Sequence, residues 1–312
     1  MDPPVNDAAP GDTGRRRAGS ERSSARVGRV RGTPGFSGVA YEYPQHLKDA
    51  MADLPQAPGV YVFHGAVGDL PLYIGKSVNL RSRVLSHLRT VAEARMLRQT
   101  VRIEHIRTAG EIGALLLESQ MIKQLQPLFN QKLRRNRQLC AWQLQGQKLE
   151  VVHANQLNFA LEPRLFGLYA SRHAAIESLV ALADQHRLCH GVLGLEKSVP
   201  GKPCFRHMIH RCAGACCGKE DGDTHFQRLL AAIQGIQVAC WPHPGAVALQ
   251  ETCPLDERFV QFHVVRNWCY LGSAPSLQAA RVLDRVAAGF DGDGYQILCK
   301  PLLQGLVPVI AL

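Results

Sequence analysis

Two tyrosines, two cations, a histidine and one glutamate are the first residues in this chain whose types and spacing suggest chemistry. Gly59-Val60-Tyr61 and Tyr73-Ile74-Gly75-Lys76 place a phenol beside glycine in two short apolar runs. Arg83 and His87 follow at i,i+4, so on a helix they share one face. Hydrolysis of a phosphodiester needs a base for the attacking water and cations for the charge that builds on phosphorus. It also needs help for the leaving oxygen and a grip on the strand. A phenol has a pKa near ~10, so it acts as a base at neutral pH only with a cation or metal-bound water beside it. Lys76 is a candidate helper, and Arg83 suits a phosphate or a developing oxyanion. Taken singly, strand tyrosines are commonly packing residues and a helical arginine is commonly solvated.

Glu118 is more telling. Winding 110–126 as a helix puts Ala114, Leu115, Met121, Ile122 and Leu125 on one face, with Glu118 in its middle. Gln120, Lys123 and Gln124 lie opposite. An ionised carboxylate on an apolar face is costly without a partner. A divalent cation is one such partner, because Mg²⁺ is commonly held by one or two carboxylates with water and phosphate. A salt bridge to Arg or Lys at the domain rim is the other.

A second group is made of thiols. Cys189, Cys204, Cys212 and Cys216 are spaced x14, x7 and x3, with Cys217 adjoining. Soft thiolates select zinc or iron–sulfur centres. No pair of CxxC knuckles is present, so a simple zinc ribbon is not indicated, and free cysteines are the plain alternative.

The elements that must position these residues follow from pattern. Residues 1–43 are rich in Gly, Pro, Ser and Arg, without apolar period, and read as a disordered basic tail. A short helix is expected over 46–54, strands over 59–64 and 72–75 joined by a long turn, and helices over 80–88 and 92–99. A strand over 101–107 and a helix over 110–126, ended by Pro127, complete the first domain. Strands are then expected at 142–144, 149–153 and 165–170, followed by a helix over 174–188. A Cys- and Gly-rich loop over 189–218 comes next, then a helix over 226–238. A last unit has strands at 247–249 and 259–266 and a helix over 277–288. The fold class is α+β: a small antiparallel sheet flanked by helices, then a cysteine-cluster domain, then a small α+β C-terminal unit. The expected boundaries are 1–43, 44–137, 138–240 and 241–312.

Bulk properties agree. The 312 residues suit two domains and a small third, and the net charge of +10 favours a polyanionic partner. Residues 46–137 hold 14 Lys and Arg against 7 Asp and Glu, with Arg134, Arg135 and Arg137 extending the basic surface. Such charge gives backbone binding without base readout. No apolar run reaches the ~20 residues of a membrane span, and no secretory signal is evident, so no membrane role and a reducing cytoplasm are expected.

Taken together, 73–84 (Tyr73-Ile74-Gly75-Lys76-Ser77-Val78-Asn79-Leu80-Arg81-Ser82-Arg83-Val84) with Gly59-Val60-Tyr61 resembles the GIY-YIG endonuclease signature. Glu118 stands where that family carries its metal-binding glutamate. Asn130, in Pro127-Leu128-Phe129-Asn130, matches the asparagine that closes the module. The resemblance implies Tyr73 as general base, with Tyr61 beside it and as the alternative. It also implies Lys76 and Arg83 on water and phosphate, and one Mg²⁺ or Mn²⁺ at Glu118. His87 stands where close relatives often carry Tyr.

Further along, Phe166-Gly167-Leu168-Tyr169-Ala170-Ser171, Lys202-Pro203-Cys204 and Arg211-Cys212-Ala213-Gly214-Ala215-Cys216 resemble the N-terminal half of the UvrC nucleotide-excision-repair nucleases. In that family the matching cysteines are associated with a [4Fe-4S] cluster; zinc is the alternative here. The x14 gap is longer than usual, which makes His190 an alternative to Cys189. The stretches Trp241-Pro242-His243-Pro244-Gly245 and 262–272 resemble the short, Cho-type members of the family. This implies an excinuclease with one active site, cutting damaged duplex DNA on the 3′ side of a lesion. Its implied partners are UvrB, by direct contact, and UvrA upstream.

Overall fold

The computed structural model describes residues 44–66, 71–130, 139–199, 201–283 and 289–312. The basic tail over 1–43 and the cations Arg134, Arg135 and Arg137 lie outside the described residues. Three antiparallel sheets follow one another along the chain, so the α+β class expected from the sequence holds.

The first sheet has the order β2-β1-β3, from β1 (Gly59–Gly65), β2 (Pro71–Ser77) and β3 (Thr100–Arg107). Its central strand is buried on both faces by simple alternation. Tyr61 and Phe63 point into a core with Leu80, Val84 and Leu88 of α1 (Leu80–Arg89). Val60 and Val62 point the other way, onto Ile122 of α3 (Glu111–Leu125). Each such buried side chain contributes about 1.5–3 kcal/mol. The Asn79 side chain caps α1 by accepting from the Ser82 N–H at 3.0 Å. The short α2 (Ala94–Gln99) leads into β3. The helix expected over 46–54 is instead two 3₁₀ turns, Gln45–Leu47 and Asp49–Met51.

The second sheet, order β5-β4-β6, is built of β4 (Cys140–Gln145), β5 (Lys148–His153) and β6 (Leu165–Tyr169). It packs on α4 (Arg172–Gln185) and α6 (Gly222–Ile233). The cysteine loop runs between those helices and contains the one-turn α5 (Phe205–Met208). The helix expected over 226–238 starts earlier, because the Asp221 carboxylate caps it by accepting from the Thr224 N–H at 2.8 Å.

The third sheet, order β10-β7-β8-β9, joins β7 (Val247–Cys253), β8 (Asp256–Arg266), β9 (Cys269–Ala274) and β10 (Val309–Ala311). With α7 (Leu277–Ala280) and α8 (Gly292–Leu303) it forms the C-terminal unit. Strand β9 escaped the sequence reading because its turn hides its signal. Asn267 and Trp268 both take positive φ, 53° and 65°, where glycine is usual. Of the helix expected over 277–288, only its first turn is seen, and 284–288 lie outside the described residues.

Helix α3 differs most from expectation. It has no single apolar face. Met121 and Ile122 pack under the first sheet, while Ile112 and Leu116 enter the core of the third. Leu125, expected inside, is 38% exposed. A helix lying between two sheets carries apolar residues around most of its circumference.

Candidate active site and cysteine centre

Strands β1 and β2 bring the tyrosines together. Tyr61 pairs across the ladder with Gly75, and Phe63 with Tyr73. A Cβ on Gly75 would sit 2.3 Å from the Tyr61 hydroxyl and 2.9 Å from the Tyr73 ring. The missing side chain therefore lets the Tyr61 phenol lie across the neighbouring strand. The two tyrosine rings are 6.1 Å apart, and the His87 ring lies tilted to Tyr61 at 5.3 Å and edge-on to Tyr73 at 5.4 Å.

Exposure separates the tyrosines. Tyr61 is 0% exposed, whereas Tyr73 is only half-buried. Burial, with Tyr73 beside it, pushes the Tyr61 hydroxyl far above the usual phenol range. Tyr73 is also raised, by burial and then by the Glu118 charge, with Tyr61 and Arg83 working in the opposite direction. Arg83, exposed on α1, has its charged form strengthened above all by the Tyr61 hydroxyl.

His87 is buried and forms a relay. Its Nδ1 meets the Glu93 carboxylate in a short hydrogen bond, and its Nε2 lies 2.6 Å from the Tyr61 hydroxyl. Burial lowers its pKa, against the pull of Glu93. The neutral ring then donates from Nδ1 to the carboxylate and accepts the Tyr61 O–H at Nε2. Glu93 is a site residue that the sequence reading missed. It lies in the turn between α1 and α2, with no periodic spacing to mark it.

Glu118 comes from α3 and faces the end of β2, where its Oε1 accepts the Lys76 backbone N–H at 3.0 Å. Burial raises its pKa, while that hydrogen bond and the charges of Lys76 and Arg83 lower it. Among the described residues no Lys, Arg or His forms an ion pair with it; the Lys76 ammonium bonds Glu111 at 2.6 Å instead. The salt-bridge alternative for Glu118 thus finds no partner here. A part-buried carboxylate with no ion-pair partner among the described residues fits a site for a divalent cation. Asn130 does different work. Its amide both accepts from the Ile74 N–H at 2.9 Å and donates to the Ile74 C=O at 2.7 Å, pinning the edge strand that carries Tyr73.

The four cysteines converge. The thiols of Cys189, Cys204, Cys212 and Cys216 all lie within 4.8 Å of one another, although they come from separate parts of the loop. The first three are buried and Cys216 partly so. Burial pushes the Cys204 thiol up to about 11 and raises Cys212 as well, while Cys216, against burial, is lowered by the Cys204 N–H and the neighbouring thiols; a cation shared among them would hold all four as thiolates. Backbone N–H groups of Cys204 and Gly214 already point at the sulfurs of Cys216 and Cys212, each at 3.3 Å. Such donors are typical around metal thiolates. His190 is turned away to Asp184 at 3.0 Å, and His207 bonds the Cys212 C=O at 2.9 Å. The candidate donors that converge are therefore four sulfurs.

Comparison with known proteins gives the family. Three family models cover most of the chain in order: a UvrC-like GIY-YIG domain over 57–131, the UvrC/Cho excinuclease middle domain over 133–235, and the excinuclease Cho C-terminal domain over 246–312. Excinuclease cho of Salmonella typhi is 57% identical over 272 residues, covering 87% of this chain and 92% of that protein. Its counterpart in Escherichia coli K12 is also 57% identical, covering 85% and 89%. The UvrABC system protein C of Rhodopseudomonas palustris is 35% identical over 56% of this chain and 26% of its own length. Among solved structures, the GIY-YIG N-terminal endonuclease domain of UvrC from Thermotoga maritima, bound to its catalytic divalent cation magnesium, matches at 30% identity. It covers 27% of this chain and 94% of that one, with a TM-score of 0.25. The chain belongs to the excinuclease Cho family, and it is a DNA endonuclease of nucleotide excision repair carrying a GIY-YIG domain.

Proposed function

We propose that the enzyme nicks damaged duplex DNA on the 3′ side of a lesion, and that it does so with UvrA and UvrB, UvrB being the direct contact. The observation that carries the catalytic part is the carboxylate of Glu118, set beside Tyr73 and Arg83 with no ion-pair partner among the described residues.

Glu118 would hold one Mg²⁺ or Mn²⁺, which when bound supplies a Lewis acid for the phosphodiester. Tyr73 is the general base. It is the tyrosine that solvent reaches, while Tyr61 is enclosed. Tyr61 holds the other end of the proton path, its hydroxyl donating to His87 Nε2 and Glu93 fixing the far side of that ring. Arg83 contacts the scissile phosphate, where its guanidinium opposes the growing negative charge. Lys76 orients Glu118 through its backbone N–H, and its side chain is tethered by Glu111. Asn130 keeps β2 in register.

The cysteine centre holds a [4Fe-4S] cluster in this proposal, in keeping with the family pattern. Zinc is a second reading with an observation of its own: four thiolates at ~2.3 Å from one zinc lie ~3.8 Å apart, near the crowding seen. An iron–sulfur cube, with an iron under each thiolate, spaces its ligands more widely. In either case the centre stiffens a DNA-facing loop. That loop exposes Phe205 and Met208, at 61% and 62%, next to Lys202 and Arg211, apolar and basic groups suited to bases and phosphates. The boundaries 44–137, 138–240 and 241–312 mark the working domains.

All ten cysteines are free, and no described helix is long and apolar enough to cross a membrane; a cytoplasmic setting is part of the proposal. The test is incision of a duplex with a single defined lesion, with and without UvrA and UvrB. A 3′ nick that needs both proteins and Mg²⁺ is expected. Equal cutting of undamaged branched DNA by the chain alone contradicts the reading.

A further inference from the structure

The helix that carries Glu118 has an unusual cap. Its N-cap residue is Gly110, which offers no side chain. The first-turn N–H groups are satisfied from 139 residues along the chain. Glu251, on β7, accepts the Ile112 N–H at 3.0 Å with Oε1 and the Gly113 N–H at 2.7 Å with Oε2. A carboxylate there also meets the positive end of the helix dipole.

Glu251 is itself held. His263 on β8 is 0% exposed and donates from Nε2 to Glu251 Oε2 at 2.8 Å. Its Nδ1 meets the Ser273 hydroxyl at 2.7 Å, and Ser273 meets the Tyr270 hydroxyl at 2.6 Å. Beside them, Gln261 accepts the Ala109 N–H at 2.8 Å. The fit is close. A Cβ on Gly110 would fall 2.3 Å from Glu251 Oε1, and one on Gly113 would fall 2.4 Å from the His263 ring. Further along α3, Lys123 bonds Asp291 and Asp293 of the same C-terminal unit at 2.6 and 2.8 Å. Burial opposes ionisation of Glu251, but the bonds from His263, Gly113 and Ile112 more than offset it and hold the group below the usual carboxylate range.

Two turns beyond this cap, Glu118 reaches the Lys76 backbone, and Glu111, in the capped turn itself, tethers the Lys76 ammonium. Any slide or tilt of α3 moves both contacts. We propose that Glu251, backed by His263 and Ser273, is a positioning residue for the nuclease: the C-terminal sheet caps α3 and so sets where the Glu118 carboxylate sits. This rests on the reading of Glu118 as the cation's ligand. The C-terminal unit is then a brace for the active site as well as a neighbouring domain.

The test uses the full chain as wild type, Glu251→Ala, Glu251→Gln and Glu118→Gln. Incision is followed over a Mg²⁺ titration, and hydrogen exchange is read at Ile112 and Gly113. Loss of a group that orients a ligand weakens metal binding by at least about 10-fold, so Glu251→Ala should raise the half-saturating Mg²⁺ concentration by about that factor. Glutamine keeps one acceptor, so a rise of less than about 10-fold is expected for Glu251→Gln. The DNA concentration dependence should stay near wild type in both, and amide exchange at 112 and 113 should quicken. If Glu251→Ala fails to melt cooperatively, Glu251→Gln decides the matter by the same readouts. A folded Glu251→Ala with wild-type Mg²⁺ dependence overturns the proposal, provided that Glu118→Gln has lost incision. If Glu118→Gln incises normally, the cation reading fails first and takes the brace with it.

Discussion

The nuclease site and the cysteine centre both gather groups for which a cation is proposed, yet they are built in opposite ways. The nuclease site sits on finished architecture. Tyr61 rides on a central strand buried on both faces, Tyr73 on the edge strand paired with it, and Glu118 on a 15-residue helix held between two sheets. Its apolar contacts exist with or without a cation. The cysteine centre has less beneath it. Its small cluster is mainly the cysteines themselves with Ala215, on a loop with one turn of α-helix and one 3₁₀ turn, joined to the second core near its start by Leu188, Leu193 and Leu195. In the proposed reading, a metal would be an occupant of the first region and a structural member of the second.

That contrast can be broken most severely at Cys212. Cys212→Ser should lower stability by on the order of 4 kcal/mol, since a metal-built loop loses folding energy with its ligand. Thermal melting with metal content checks this; an unchanged midpoint with the metal lost would make the loop self-supporting. In the nuclease site the expected loss is in rate. Tyr73→Phe should reduce single-turnover incision by about 10²–10³-fold, within the range for a general base, with melting unchanged. Tyr61→Phe should lose less, and the reverse order would exchange the two roles.

A smaller effect is expected at Asn130. Asn130→Ala removes both hydrogen bonds to Ile74, a cost of about 2 kcal/mol in chemical denaturation. Smallest is Glu93→Ala. Freed of its carboxylate, His87 no longer holds one tautomer toward Tyr61, and incision should fall about 10-fold. Glu93→Gln, which can still accept from Nδ1, should recover most of that loss. A Glu93→Ala enzyme at full rate would detach His87 from the proton path.

The same contrast explains what could be read from sequence. Strands β1 and β2 and helix α1 were legible because alternation, glycine and the Asn79 cap are local signals. Tyr61, Tyr73, Arg83 and Glu118 were legible as types at spacings. What was hidden depends on distant pairing. Glu93 lies six residues from His87 in a turn, and Glu251 meets α3 from a sheet 139 residues away. Leu125, expected on the apolar face, is 38% exposed, while Leu116 is buried in the third core, because two sheets flank a helix whose pattern suggests one apolar side. The four thiols could be counted, but their convergence is a property of the folded loop.

The central claim is that one cation-dependent carboxylate on a preformed scaffold governs the cut. It is tested most directly by Glu118→Gln in lesion incision over a Mg²⁺ titration, with thermal melting beside it. The expected result is a loss of about 10³-fold in rate that added Mg²⁺ does not restore, with an unchanged melting midpoint. Incision near the wild-type rate, or a collapse of the fold, would contradict it.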